Sequence, residues 1–423
     1  MSERTTADLA QGDSAAEAGR RFKLLVLSST YPRWPNDPEP GFVHELNRRL
    51  ASHFDVVALV PSARGAKRRE RIQGVDVVRF RYAPSWLEVL VNDGGIVNNL
   101  RRSPWKYGLV PLFLLSLSFE LLRLRLTWRP DVIHAHWLIP QGLIAGLLRL
   151  GARRTPILVT CHGADLFALR GRVMSSIKRW VFSRVSHATV VSQGMLKFAL
   201  DAGASGNCVT VQPMGVDLAN SFTPVSEVER RNDELLFVGR LVEKKGLRYL
   251  IEAFAVAIGK RPSLSLTIAG FGPDEDELRR QVGRLGIEAH VQFLGAVRQA
   301  ELPGLYRRAA LFVAPFVEAA SGDQEGLGLV VVEAMGCGCP VIVSDLPATR
   351  ELPLCDSFRF APANVKQLAE RIDHVLGMSR SDREMAIAAA REELVSRYDW
   401  STVGKGYARL IKDLARPRDA GQS

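Results

Sequence analysis

Residues 22–28 read FKLLVLS, an apolar run that lacks the alternation of a half-exposed strand. Such a run suits the interior of a parallel sheet, where both faces of each strand are covered. It passes into TYPRWPNDPEPG, a Pro-rich loop closed by Gly41, and then into a segment from Val43 to Ala51 that is expected to be helical. Strand, glycine loop and helix in that order make a Rossmann-like unit. Further strands are expected at 56–60, 75–80, 131–135, 157–160, 185–191 and 209–211, and a second series begins at 235–238. That series continues through 266–280 (strand, glycine loop, helix), 291–297, 311–315 and 341–344, with helices at 247–258, 299–308, 366–376, 382–396 and 400–414. The fold class is α/β. With 423 residues the chain is long enough for two domains of roughly 200 residues, each with its own core. The expected division is residues 21–217, then 218–398, with a linker inside 217–232. Residues 1–20 are polar and Ala-rich without apolar periodicity, and are expected to form a disordered tail. No G-x-G-x-x-G follows the first strand, so no dinucleotide cofactor is expected.

Charge divides the chain unevenly. Residues 1–215 carry 29 Lys and Arg against 16 Asp and Glu, whereas residues 216–423 carry 27 against 29. An excess of that kind in one half points to a polyanionic partner for that half. Basic residues interleaved with exposed aromatics on a recognisable nucleic-acid module are absent, so no nucleic-acid partner is expected. The five cysteines (Cys161, Cys208, Cys337, Cys339 and Cys355) contain no C-x2-C pair, and no secretory signal precedes them. Reduced thiols in the cytoplasm are the simple expectation. The segment 105–128, WKYGLVPLFLLSLSFELLRLRLTW, has its longest uncharged run from Tyr107 to Phe119. That run falls short of the ~20 residues needed to span a bilayer. It is either a buried core helix or a helix resting on a membrane surface, with the basic loop 64–71 (RGAKRRER) solvated or touching lipid head groups. The localisation expected is cytoplasmic, with peripheral contact on the inner face of the membrane.

The residues that point to chemistry cluster after two strands of the second series. In SGDQEGLGLVVVEAMGCGCPVIVSDLPATR (321–350), a loop leads into a buried helix starting near Gly328, a tight turn and the strand 341–344. The leading N–H groups of such a helix carry partial positive charge and make an anion site. Glu325 lies in the loop beside that site. Glu333 lies inside an apolar run, where an unpaired carboxylate is costly. The strand 235–238 is followed by Gly239-Arg240 and then VEKKG (242–246). Arg240 can grip two phosphate oxygens at once and Lys245 adds a mobile charge, a pairing suited to a diphosphate. Lys244 is expected to face solvent. In the first series, DVIHAHW and CHGAD place His134, His136, His162 and Asp165 at the carboxyl ends of strands, where open α/β sheets bind ligands. His134 and His136 share one face of their strand, but no carboxylate pair accompanies them, so no metal site is expected.

With its context, EG-x-G-LVxxEAM-x-x-G-x-PV resembles the donor-site signature of the family-4 retaining glycosyltransferases, which have the GT-B fold. The resemblance covers most of residues 22–414 and is strongest from 235 to 352. It implies two Rossmann-like domains facing across a cleft, with a helix at 399–415 crossing back onto the first. It implies an enzyme that moves a hexose from a UDP- or GDP-sugar, with retention and without essential metal or other cofactor, to a glycan or lipid-linked acceptor of the cell envelope or an exopolysaccharide. In that family the glycine of the first loop, here Gly41, approaches the donor phosphates; Arg240 and Lys245 hold them; Gly295 and Val297 lie along the base. Glu325 contacts the donor sugar, Glu333 the ribose, and the helix amides at Gly328 and Leu329 the diphosphate. His162 lies at the reacting face, with His136 and Asp165 as acceptor-side residues. No nucleophile is assigned, since retention in the family is attributed to front-face attack through an oxocarbenium-like state. Asp274-Glu275-Asp276 is formally the D-x-D that binds metal in another glycosyltransferase fold, but here the acids open a helix and are read as capping it. Two alternatives remain at this point: another GT-B enzyme (an inverting transferase, a phosphorylase or an epimerase-like protein), or a non-catalytic nucleotide-sugar-binding or membrane scaffold protein.

Overall fold

The computed structural model describes residues 20–35, 37, 41–92, 95–149, 155–225 and 228–416. The proposed tail at 1–20 therefore lies almost wholly outside the described residues. Eight strands form the first sheet: β1 (Lys23–Leu27), β2 (Asp55–Pro61), β3 (Arg69–Ile72), β4 (Val75–Phe80), β5 (Val132–His136), β6 (Ile157–Cys161), β7 (His187–Val190) and β8 (Val209–Val211). Their spatial order is β3-β4-β2-β1-β5-β6-β7-β8. Six more form the second: β9 (Glu234–Val238), β10 (Ser265–Ala269), β11 (Val291–Gly295), β12 (Leu311–Ala314), β13 (Val341–Ser344) and β14 (Arg359–Phe360), in the order β11-β10-β9-β12-β13-β14. The pairings are parallel except between β3 and β4. Leu24, Leu25, Val26 and Leu27 of β1 are each fully buried, as the unbroken apolar run requires of a strand covered on both faces.

Each sheet reverses its winding once, between β1 and β5 in the first and between β9 and β12 in the second. At such a point the loops leaving neighbouring strands diverge and open a crevice at the carboxyl edge. The loops after β5 and β6 carry Trp137 and His162; those after β9 and β12 carry Arg240 and the segment 315–328. The two carboxyl edges meet. A Cβ on Gly326 would stand 2.6 Å from the His162 carbonyl oxygen, and one on Gly194 would stand 2.6 Å from the Pro347 carbonyl carbon.

Helices cover the sheets, among them α1 (Phe42–Leu50), α2 (Leu109–Thr127), α3 (Leu247–Ile258), α4 (Leu329–Gly336), α5 (Arg380–Tyr398) and α6 (Trp400–Ala415). The last of these returns to the first sheet. Asp399 caps it by accepting from the Ser401 N–H at 2.8 Å, and the other carboxylate oxygen accepts from the Leu218 N–H at 3.0 Å. The Trp400 ring lies under the Arg49 guanidinium at 4.6 Å, the Tyr407 hydroxyl donates to the Gln212 carbonyl at 3.1 Å, and the Tyr407 ring stacks on His134. One apolar core therefore runs from the first sheet through α4 and α6, while a second fills the space between β9–β13, α3 and the helix Val365–Gly377.

Two sequence expectations change. Three residues of the basic loop 64–71 are not loop: Arg69–Ile72 pairs antiparallel with β4 as an edge strand, with Arg69 and Arg71 facing water and Glu70 paired with the buried Arg79 at 2.9 Å. The helix in 105–128 is neither wholly core nor wholly surface. Leu109, Phe113, Leu117, Leu121 and Leu124 of α2 are buried, while Leu112, Leu115, Phe119, Leu122 and Leu126 are exposed on its other face. Among the described residues no helix is long and apolar enough to cross a membrane.

Two glycines of like backbone separate conformational from steric need. Gly246 has φ +66° and a Cβ there would sit 1.7 Å from the Pro315 carbonyl oxygen, whereas Gly286, at φ +67°, faces open space. Gly286→Ala is expected to cost about 1 kcal/mol in urea unfolding, the ordinary left-handed penalty. Gly246→Ala should cost several-fold more, because the β12 loop must also shift; equal losses would show that the site loop yields freely.

Candidate active site

Lys245 lies in a short 3₁₀ turn, Glu243–Lys245, between β9 and α3. Its stem crosses Gly239, where a Cβ would be 3.7 Å from the lysine Cδ, and its Nζ sits 4.6 Å above the Phe316 ring. The ammonium donates to Glu325 Oε2 at 2.6 Å, and the two side chains are only 13% and 15% exposed. Glu325 Oε1 accepts from the Gly328 N–H at 3.3 Å. Burial alone would raise the Glu325 carboxyl, but Lys245 and Lys244 outweigh it and hold the group down at about 2. Glu325 is thus an anion at any ordinary pH. Gly328, at φ +79°, caps α4, so the first N–H groups of that helix, from Leu329 onward, have no acceptor within it. Lys244 does not face solvent: its Nζ pairs with Asp323 at 3.1 Å and helps to tie down the Asp323–Gln324 loop.

Arg240 follows Gly239 at the same edge, and a Cβ on Gly95 would be 3.9 Å from its Nη1. The segment leading to α2 therefore begins at the cleft. Glu333 lies one turn inside α4 and is 7% exposed. Its oxygens accept from Gln299 Nε2 at 2.8 Å and from the Tyr306 hydroxyl at 2.9 Å. Burial nevertheless pushes its carboxyl up to about 7, against the pull of those two donors and of Lys245. Gly295 ends β11 with its carbonyl accepting from the Gly270 N–H at 2.8 Å, and Val297 is half-buried just before Gln299. The residues expected along base and ribose thus lie on one path towards Glu333.

On the opposite side His162 is half-buried among rings. Phe42, the first residue of α1 after Gly41, is 5.1 Å from it and Trp137 is 4.9 Å away. His136 Nδ1 meets His162 Nε2 at 2.9 Å, and the two rings stack at 14°. Burial, then the neighbouring His134, holds His162 down to about 3, so its imidazole is neutral. His136 is fully buried, and burial and then both neighbouring histidines hold its imidazole well below the usual range. His136 and Asp165, expected on the acceptor side, are both buried. Asp165 is buried, with Oδ1 accepting from the His162 and Gly163 amides at 3.1 Å and Oδ2 from the Leu138 amide at 2.8 Å. It fixes the two strand-end loops to each other. His136 backs His162 from beneath.

Of the D-x-D acids, Asp274 occupies the N-cap position of the helix Glu275–Arg284 without a side-chain capping hydrogen bond, Glu275 and Asp276 lie in its first turn, and Glu275 pairs with Arg279 at 2.8 Å. Among the described residues no cluster of three or more His, Cys, Asp or Glu is arranged as a metal site.

Two carboxylates, of which Glu325 is held ionised, two cations and a helix N-terminus thus converge at the meeting of two Rossmann-like sheets. Residues 41–220 match the family model described as Glycosyltransferase Family 4, and residues 222–393 match that of the glycosyl transferases group 1. A phosphatidyl-myo-inositol mannosyltransferase of Mycobacterium tuberculosis is 32% identical over 295 residues, covering 67% of this chain and 74% of that protein. The chain belongs to glycosyltransferase family 4. It is a glycosyltransferase of GT-B fold. A glycogen synthase of M. tuberculosis is 29% identical, covering 67% of this chain and 69% of that protein. Among solved structures, sucrose-phosphate synthase from Thermosynechococcus elongatus superposes with a TM-score of 0.75 at 18% identity, covering 93% of this chain and 99% of that one. Anabaena HepE in complex with UDP and glucose gives 0.67 at 20% identity, covering 93% and 100%.

Within this family-4 site, sequence reasoning missed Gln299, Tyr306 and Phe316. The first two stand 34 and 27 residues from Glu333, and their only signal was a buried carboxylate that needed donors.

The raised Glu333 pKa makes a sign-definite prediction. Below about 4.5 the group is protonated folded and unfolded; as pH climbs to about 7 the unfolded chain ionises first, so the folded state of the free protein loses stability from this group. Glu333→Gln should therefore gain in Tm relative to wild type between roughly pH 5 and pH 8. A pH-independent difference would show Glu333 to be an ordinary ionised carboxylate.

Proposed function

We propose that this family-4 glycosyltransferase moves a hexose, with retention, from a UDP- or GDP-sugar to a lipid-linked or glycan acceptor, and that the chain's own cations take the place of a metal. The observation carrying this reading is the Lys245–Glu325 pair at the head of α4, a cation and helix amides beside a carboxylate that stays ionised. Expelling a nucleoside diphosphate places negative charge on the β-phosphate. Lys245, Arg240 and the N–H groups at Gly328 and Leu329 would absorb it in a site already oriented before reaction. Glu333, with its two donors, would accept from the ribose hydroxyls, while the base lies along Gly295–Val297. Glu325 would hold hydroxyls of the donor sugar.

His162 would line the reacting face. Its neutrality matters, because an imidazolium there would oppose an oxocarbenium-like transition state, whereas a neutral ring can hydrogen-bond a sugar hydroxyl. The acceptor would enter from the first domain and attack the face that the diphosphate leaves, which conserves the anomeric configuration. The relatives support this reading by their names: one acts on phosphatidyl-myo-inositol, and HepE holds UDP and glucose.

Incubation with UDP- and GDP-hexoses and lipid or glycan acceptors, followed by NMR of the product's anomeric proton, tests it. An α-linked donor should give an α-linked product, and Lys245→Ala should lower kcat/KM on the order of a hundredfold or more with the fold intact. An inverted product, or wild-type turnover by Lys245→Ala, would overturn the proposal.

A further inference from the structure

The helix α2 carries large apolar side chains on opposite sides, yet only one of those sides is covered. Its inner side chains, Phe113 and Leu117 among them, pack on β2 and β4. On the outer side Leu112, Leu115, Phe119, Leu122 and Leu126 follow each other at intervals of three and four residues, so they form one straight stripe. Leu115 and Phe119 are 68% and 67% exposed. A contiguous apolar surface of this kind marks a docking site.

What docks is indicated by the rim. Arg68 reaches Glu120 of α2 at 3.6 Å, which brings the edge hairpin with Arg64, Lys67, Arg69 and Arg71, all exposed, against the helix. Arg101 and Arg102 are exposed just before it, and Ser116 bonds the Arg81 carbonyl at 2.6 Å on the other flank. Aromatic side chains stand between stripe and rim: Trp105, 58% exposed, leads into α2, and Trp86, 70% exposed, lies on the turn beyond Tyr82, whose ring packs on Phe113. An apolar stripe framed by exposed tryptophans and a basic border is matched chemically by a membrane surface rich in anionic lipid. A second copy of the chain would meet the same border with like charge, at a cost.

We infer that α2 and its basic border are the face by which this enzyme sits on an anionic bilayer, the stripe entering the acyl boundary and the arginines meeting phosphates. The face is joined to the site. Gly95, beside Arg240, starts the segment that runs through Arg101 and Arg102 to Trp105 and α2, so this face is continuous in the chain with the edge of the cleft. This deepens the proposed lipid-linked acceptor and rests on it only for the acceptor's identity, since docking is measured without turnover.

The test is flotation of the full chain with vesicles of phosphatidylcholine alone or mixed with phosphatidylglycerol, at low and high salt. Wild type should float with the anionic vesicles at low salt and be released by salt or by omission of phosphatidylglycerol. Leu115→Asp/Phe119→Asp should lower the bound fraction about tenfold, while Met385→Asp, a comparably exposed site on α5, should not. Binding of UDP or GDP, followed by thermal shift, should be unchanged in the double variant, which separates a docking loss from misfolding and from failure of the transferase reading. Equal flotation of the double variant and wild type would overturn the inference. So would a wild-type dimer in solution that Leu115→Asp/Phe119→Asp dissolves, since the face would then belong to a second copy.

Discussion

The Lys245–Glu325 contact is the interaction on which the site depends. A lysine and a glutamate at a protein surface contribute little, because water competes with each. Here both are largely withdrawn from water, Lys245 lies over the Phe316 ring, and Glu325 takes a second donor from the Gly328 amide. The pair fixes the turn after β9 to the loop after β12 across the switch point of the second sheet. It also keeps a cation in place, already desolvated, where a diphosphate would otherwise have to recruit it. On the proposed function, an incoming donor would need only to draw the ammonium from one anion to another, with the carboxylate left to face the sugar.

The rest of the architecture presents a second surface to that pair. Gly326, next to Glu325, has no room for a side chain because the His162 backbone fills it, so the two strand-end loops are interlocked rather than merely facing. His162 is oriented from behind by His136, and its loop is held by the three amide bonds to Asp165. Behind them Tyr407, on α6, stacks on His134. The helix that returns from the second domain thus abuts the same row of rings that ends at His162. A change in how the domains sit would be felt there directly.

Much of this was legible in the sequence for definite physical reasons. FKLLVLS could only be a strand covered on both sides, and EGLGLVVVEAM placed a carboxylate where burial would demand partners. The parts that escaped were of three kinds. Long-range donors were one: nothing near Glu333 in sequence names Gln299 or Tyr306. Residues whose polar atoms turn to backbone were another, for Asp165 reads as a ligand residue in CHGAD yet its carboxylate is spent on amides. Third, a helix with leucines on opposite sides does not disclose which face is covered. The stripe on α2 became visible only when its other side was found packed on the sheet, just as RERI became an edge strand only through its pairing with β4.

The claim that Lys245 is handed from Glu325 to the diphosphate is tested most directly by isothermal titration of nucleoside diphosphate and of its sugar conjugate with Glu325→Gln. Removing the carboxylate frees the ammonium from its competitor but deletes the sugar's contact. The account predicts that the bare diphosphate binds as tightly as to wild type, or more tightly, while the advantage of the sugar conjugate over it disappears. Weaker binding of the bare diphosphate, in parallel with the conjugate, would contradict it and make Glu325 a structural support for the loop alone.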